Sequence, residues 1–572
     1  MSLRVAGSIA AAAIRSAEVG MAVASANVAN VDTDGYTRKI ATFTASDTGV
    51  GYAGVGVSSI GSSVNQLLLK TLIRQQSDVG ATAVADDYLT RLQSAVGSTD
   101  SESGVAAAFS DAADALSTFA TSPESQSARV AVVEGLKTLT ASLRATSDDI
   151  QSLRADADAD IAATVDEVNE TLNTLNDLND RIVEGKAAGR DVADLVDQRS
   201  EALKSLAENI DIQYQIDDSG RARVSTTSGA ALLDSSVHEL SYEPASSVSE
   251  STVFAALTLN GKDVAGSIKS GKLAGLIELR DETLPAYQDE LNELATTFKE
   301  TLNGIHNAGS AVPAPQTLTG SAVAASGDAF SATGTLRVAV TDEDGEAVET
   351  LELDLSSYAT VQDVADALSS MTNLTASVDG DGHLVIAAGS SDYGVALSGG
   401  SVGSDAKGFS AYFGLNDLIS GDGAADIAVT DAIAADSSLL AAGALSDAAT
   451  LAAGDVALAS GDGTTASALS AAFSATQSFA AAGGAGATSA TFAGYWGDVM
   501  QAAATAADKA TSAATDASDY ADSLSGSFMS QSGVNLDEET AAISELEAAY
   551  QAAALVYQAM QEMFDTAAGM VN

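Results

Sequence analysis

The two ends of this chain constrain its fold more than anything between them. Leu3, Gly7, Ala10, Ile14, Ala17, Met21, Ala24, Val28 and Val31 recur at alternating spacings of four and three. The last residues repeat the pattern with Ile543, Leu546, Tyr550, Ala553, Tyr557, Met560, Phe564, Ala567 and Val571. A sustained heptad marks a helix that presents one apolar seam to a partner. Chain ends normally fray, so heptads at both termini predict segments that pair with each other or with other subunits. The small residues of the N-terminal seam would let a partner helix approach closely.

Composition narrows the function classes. Among 572 residues, 26 Lys+Arg stand against 78 Asp+Glu, a net charge of −52. Binding nucleic acid or an anionic bilayer requires clustered cations, so neither is expected as a partner. Cysteine is absent and there are three His, which removes disulfides, thiolate nucleophiles and cysteine-based zinc sites. No window is expected to approach the ~20 apolar residues that span a bilayer. The Ala-rich run ending at Ile14 resembles a signal peptide, yet Arg15 and Glu18 follow and the helical register continues, so uncleaved structure is expected.

Between the termini the period changes repeatedly. The cluster from Asn30 to Tyr36 should stop the first helix, and a Gly-punctuated stretch to about Ser63 should be extended. A long helical region then runs from Val64 to about Asn209, with Val165, Val168, Leu172, Leu175, Leu178 and Ile182 on one face. At its break, Thr121 or Ser122 is expected as N-cap and Pro123 in the first turn. Alternation over Ile212, Tyr214 and Ile216, then Ala222 and Val224, predicts a β-hairpin. A strand over Val253–Leu259 and a turn at Asn260-Gly261 follow, then a helix from Leu273 to about Asn303. Residues 311–423 read as a β-rich insert with strands at 336–340, 350–355, 374–378 and 384–387 and a short helix at 361–368. From Thr465 on the chain should be mostly helical.

No motif nominates chemistry. Gly266–Lys272 has phosphate-loop spacing, but Leu273 stands where the magnesium-holding hydroxyl would be, so a turn before a helix is expected. The Asp-Gly clusters at 342–345, 379–382 and 461–463 lack the spacing of a calcium loop and read as turns. His238, His306 and His383 lie far apart, and His306 is placed to interact, when charged, with the C-terminal end of its helix. No catalytic, cofactor-binding or metal-binding residue is expected, and no cofactor. Tyr412 and Phe413, the adjacent aromatic pair of the insert, read as core rather than as a sugar platform.

The segment Ser25-Ala26-Asn27-Val28-Ala29-Asn30-Val31-Asp32-Thr33-Asp34-Gly35-Tyr36-Thr37-Arg38 resembles the signature of flagellar rod, hook and hook-associated proteins, departing from it at Ala26. Ser532-Gly533-Val534-Asn535-Leu536-Asp537-Glu538-Glu539 is similar to the segment before their terminal helix. Signature positions are Asn27, Asn30, Gly35, Tyr36, Gly533, Asn535 and Leu536. The blocks Asp194–Arg199 and Gly271–His306 narrow the resemblance to the hook-associated protein 1 family.

That resemblance implies a multidomain, mainly α protein with paired terminal coiled-coil helices, a helical-bundle middle domain and an inserted β-rich outer domain. The expected divisions are residues 1–63 with 527–572, 64–310 with 424–526 (a β-hairpin element at about 210–262), and 311–423. It implies a non-enzymatic subunit, exported through the flagellar type III apparatus, forming a homo-oligomeric ring at the extracellular hook–filament junction. Hook protein and hook-associated protein 3 would be its neighbours. Leu3, Ile14, Met21, Val28, Ile543, Leu546, Tyr550, Tyr557, Met560 and Phe564 are the expected assembly face, frayed until assembly. An export chaperone would cover its C-terminal part. Hook protein, hook-associated protein 3, or a secreted adhesin or carbohydrate-binding protein are the alternatives.

Overall fold

The computed structural model describes residues 3–33, 35–47, 53–97 and 103–570; Asp34 and Val571 lie outside them. The chain divides into two compact units, residues 1–88, 155–281 and 508–572, and residues 89–154 and 282–507. The architecture is mainly helical and multidomain, with paired terminal helices and β-rich sheets in the middle of the sequence, as the sequence implied.

In the first unit, the N-terminal helix Leu3–Ala29 is followed by an antiparallel hairpin, Lys39–Asp47 with Ala53–Ser62. The helical region expected over 64–209, whose residues 89–154 belong to the second unit, is four helices, Gln66–Val96, Val105–Thr121, Gln126–Ala187 and Ala193–Asn209. The six apolar residues from Val165 to Ile182 are all buried. The predicted hairpin forms with Ile212 opposite Thr226 and Ile216 opposite Ala222. The strand expected over Val253–Leu259 shrinks to Thr258–Leu259. Val253 is 93% exposed, so its β-branched character reflects no sheet.

The phosphate-loop lookalike is a turn. Gly271 has φ 90° and precedes the helix Lys272–Glu278. A Cβ there would lie 2.7 Å from the Ile210 nitrogen, so this glycine permits close backbone packing. The helix that follows is Leu284–His306, joined to Lys272–Glu278 through a π segment, Leu279–Thr283.

The second unit includes the helices Val105–Thr121, Leu284–His306 and Thr464–Ser474. Phe109, Phe298 and Phe492 interlock in its core, with Phe298 edge-on to Phe492 at 5.3 Å. At the break near Pro123 the expected capping is displaced. Ser122 ends the preceding helix, and Ser125 starts the next by accepting from the Ala128 N–H at 3.4 Å.

The insert carries the expected strands and helix within a few residues. Thr317–Val323 and Gly394–Val402 are further strands whose Gly and Ser content hides the alternation. The sheets run in the order Ala347–Asp354, Ala332–Thr341, Gly394–Val402 and Leu374–Val378, His383–Ala388, Thr317–Val323. Phe413 is buried core, while Tyr412 is partly exposed. The clusters at 342–345 and 379–382 are hairpin turns whose leading Asp accepts backbone N–H bonds. The cluster at 461–463 instead precedes a helix, with Asp462 accepting from Thr464 at 2.9 Å. A β-hairpin, Gln477–Phe479 with Thr488–Ala490, interrupts the helical stretch expected after Thr465.

His306 contradicts its expected charged role. It is fully buried, its Nδ1–H donates to the Asn416 carbonyl at 2.7 Å, and its Nε2 accepts from the Ala441 N–H at 2.8 Å. An imidazole with one donating and one accepting nitrogen is neutral, and burial pushes its pKa down to about 4. Between pH ~6.5 and that value the unfolded chain binds the extra proton, so stability falls as pH falls through this window. Urea denaturation followed by the fluorescence of Trp496, buried in the same unit, should show a lower midpoint at pH 5 than at pH 7. His306→Asn should lower stability at pH 7 and flatten that dependence.

Candidate assembly interface

The N-terminal helix forms because Ala and other good helix formers dominate it and nothing interrupts it before Asn30. The C-terminal helix, Leu536–Gly569, starts at an N-cap, Asn535, whose Oδ1 accepts from the Asp537 N–H at 3.0 Å. Three acidic residues, Asp537, Glu538 and Glu539, occupy its first turn, where the helix dipole favours negative charge.

These two helices pack against each other within one chain. Leu3 shares a cleft of about 360 Å³ with Tyr557, Met560 and Phe564. Gly20 lies beneath Leu546, and Asn27 bonds Glu539. The pairing is therefore antiparallel. Ala10, Ala17 and Ala24, the small row of the seam, are buried. A Cβ on Gly20 would lie 3.0 Å from both Leu546 methyls, so small residues permit the close approach the spacing suggested.

The large residues are less covered. Ile14, Met21, Val28, Ile543, Leu546, Tyr550 and Met560 are half-buried, whereas Leu3, Tyr557 and Phe564 are exposed. Among the described residues of the C-terminal helix only Glu539 is buried, and Leu555, Val556, Met563 and Met570 face solvent. The N-terminal helix is also long and apolar enough, by length and composition, to cross a membrane. That corrects the expectation that no window approaches such a span, since Arg15 and Glu18 interrupt too little of an Ala-rich run.

Where the hairpin, helix Ala193–Asn209 and both terminal helices meet, the signature residues form one buried polar knot. The Asn27 Oδ1 accepts from the Lys39 N–H at 2.9 Å and the Tyr36 hydroxyl at 3.0 Å. Its Nδ2 donates to the Lys39 carbonyl at 2.9 Å and to Glu539 Oε2 at 3.0 Å. Arg38 Nε donates to Glu539 Oε1 at 2.6 Å, and its other arm reaches Glu538 at 2.8 Å. The Lys39 ammonium, 5% exposed, pairs with Asp197, which also takes the Thr37 N–H at 2.9 Å and hydroxyl at 2.6 Å. Burial and the carboxylates Asp194, Asp197 and Glu539 push the Tyr36 hydroxyl up to about 12, so it stays a donor.

The remaining signature positions serve the turns. Asn30 Nδ2 donates to the Ala26 carbonyl, closing the first helix. Gly35, at φ 73°, passes Glu201 too closely for a Cβ, and Gly533 does the same beneath the Met529 carbonyl. Leu536 is exposed. The Asp194–Arg199 block supplies Asp197, while Arg199 donates to the Gly220 carbonyl at 2.6 Å in the hairpin turn. In the Gly271–His306 block, Arg280 pairs with the buried Asp158 at 2.9 Å, and Asn303 accepts from Leu418 and Ile419. Sequence reasoning had not singled out Lys39, Asp197 or Glu539. The available signal was a scarce cation pair, Arg38-Lys39, at the end of the signature.

Residues 89–320 match the family model described as the flagellar hook-associated protein FlgK helical domain. The chain is also 24% identical over 311 residues to flagellar hook-associated protein 1 of Escherichia coli K12, covering 52% of this chain and 56% of that protein. Over these stretches the chain is similar to the hook-associated protein 1 family. This is a family of structural, non-enzymatic flagellar proteins. Residues 525–570 match the flagellar basal body rod FlgEFG protein C-terminal model, placing the C-terminal helix within a segment shared with rod proteins. The corresponding protein of Bacillus subtilis is 24% identical over 336 residues, 52% of this chain and 66% of that protein. The chain thus spans between about half and two thirds of the length of these curated relatives. The flagellar hook junction protein FlgK from Burkholderia pseudomallei aligns with a TM-score of 0.48 at 16% identity, over 80% of this chain and 99% of that one.

Removing one partner of a buried ion pair leaves an uncompensated charge, at a cost of about 3–5 kcal/mol. Asp197→Ala should therefore destabilise the first unit by that order. Asp194→Ala, at a side chain 77% exposed and 3.5 Å from the Lys39 ammonium, should cost roughly 1 kcal/mol or less. Hydrogen exchange of the strand beginning at Lys39 separates the two.

Proposed function

We propose that this protein is the structural subunit joining hook to filament in the bacterial flagellum. It is exported through the flagellar type III apparatus and assembles, through residues 1–63 and 527–572, into an extracellular ring. Hook protein lies on one side of that ring and hook-associated protein 3 on the other. The observation that carries this reading is the match of residues 89–320 to the hook-associated helical domain, together with an antiparallel terminal pair whose C-terminal half keeps large apolar side chains exposed. Contiguous exposed apolar surface marks an interaction site.

In this reading the polar knot holds the base of the terminal pair, and the stripe of Leu555, Tyr557, Met560 and Phe564 meets neighbouring subunits. Leu3, Ile14, Met21, Val28, Ile543, Leu546 and Tyr550 complete the face. Before export, a chaperone covers the C-terminal stripe and prevents premature association. The absence of cysteine suits a chain threaded unfolded through a channel, and the charge of −52 keeps an apolar-striped subunit soluble.

Deleting the gene should leave intact hooks without filaments and release flagellin to the medium; normal filaments would contradict the junction role. Phe564→Asp, at a side chain 54% exposed, should change the subunit's stability by about 0.5 kcal/mol or less yet abolish its incorporation into flagella. Sedimentation of the purified subunit and microscopy of complemented cells read the two effects separately.

A further inference from the structure

The small sheet Leu240–Ser241, Thr258–Leu259 and Lys262–Asp263 closes with a two-residue turn, Asn260-Gly261, at φ 52° and 74°. Asn260 is exposed, and its Nδ2 lies 3.3 Å from His238 Nδ1. The other ring nitrogen, Nε2, lies 3.2 Å from the Asp234 carboxylate. The carboxylate accepts the Nε2–H, which leaves the Nδ1 lone pair facing the Asn260 amide. That contact with His238 is the main cause holding the Asp234 carboxyl down to about 2, so the carboxylate stays charged. A carboxylate, an imidazole and a side-chain amide thus stand in line, directly before a glycine whose missing side chain leaves the next backbone nitrogen open to attack the amide carbon.

We infer that Asn260 is a site of intramolecular deamidation, with His238, oriented by Asp234, protonating the leaving nitrogen. The strands holding the turn are two residues long, so it opens by local fraying without unfolding the unit. The Gly261 nitrogen bonds to Cγ of Asn260 as its proton passes to water. The His238 Nδ1 lone pair takes up a proton from solvent and hands it to Nδ2 as the Cγ–Nδ2 bond breaks, so the nitrogen departs as ammonia and the imidazole returns to its neutral form. Water then opens the cyclic imide at either carbonyl, giving aspartate or isoaspartate. Both products place a negative charge where a neutral amide stood. The isoaspartyl form also adds a methylene to the main chain, for which a two-residue turn has no room.

The sequence contains a second Asn-Gly pair, and the fold treats it oppositely. Asn303-Gly304 lies inside helix Leu284–His306. Its amide Nδ2 donates to the Ile419 carbonyl at 2.7 Å, and its Oδ1 accepts from Leu418 at 2.9 Å and Ile419 at 2.8 Å. The same dipeptide is pinned inside a helix in one place and exposed beside an imidazole in the other.

The test is incubation of the full-length folded protein at 37 °C and neutral pH, with peptide mapping by mass spectrometry. Asn260 should convert to a mixture of aspartyl and isoaspartyl forms while Asn303 keeps its amide. His238→Gln should slow conversion by about a hundredfold, the low end of what a general acid contributes. In 8 M urea, wild type and variant should convert at the same rate. A variant that merely loosened the sheet would convert faster, so misfolding cannot imitate the expected result. Equal rates for folded wild type and His238→Gln would overturn the role of the dyad, and retention of the amide at Asn260 would overturn the site.

Discussion

The first unit depends on one constraint: two cations, the buried Lys39 and the half-buried Arg38, must meet carboxylates that come from distant parts of the chain. Lys39 reaches Asp197 on helix Ala193–Asn209, and Arg38 reaches Glu539 at the start of the C-terminal helix. Asn27 joins the two pairs by bonding both Lys39 and Glu539. In a chain with three acidic residues for every basic one, an unpaired buried carboxylate would be costly, and a scarce cation at this junction makes the burial tolerable. Apolar heptads alone leave an antiparallel pair free to slip by one repeat. A buried polar contact between Asn27 and Glu539 excludes the slipped registers, because each would strand a buried amide or carboxylate.

From this anchor the terminal pair divides its labour along its length. Near the knot, Ala17, Gly20 and Ala24 allow close contact, and Leu546 fills the space over Gly20. Towards the other end the contacts thin, and Tyr557, Phe564 and Met570 remain exposed. A fixed base with an uncovered apolar tip suits a segment that holds its subunit's shape and still has surface left for a neighbour. The core of the second unit holds interlocked phenylalanines and a buried neutral histidine.

Much of this was legible in the sequence, and the failures share a physical cause. The heptads, the hairpin from Ile212 to Thr226, the helix Val361–Leu368 and the strand Leu374–Val378 were visible because periodicity records which face is buried. The strand Gly394–Val402 was hidden by its glycines, and Val253 misled because β-branched residues also occur in exposed loops. The signature residues could be quoted from resemblance, but their purpose could not, since Asn27 and Glu539 are 512 positions apart in sequence. His306 looked like a helix-end cation, and only the fold shows that the Ala441 N–H occupies its second nitrogen. Long-range polar pairing leaves no period to read.

In the proposed junction role the terminal pair is anchored in the isolated subunit and completed only by neighbours. Hydrogen exchange, compared between the dilute subunit and intact flagella, tests this most directly. Amides from Glu539 to about Leu546 should be protected in both states, while those from Leu555 to Gly569 should exchange readily in the subunit and become protected on assembly. Equal exchange of Leu555–Gly569 in the two states would contradict it.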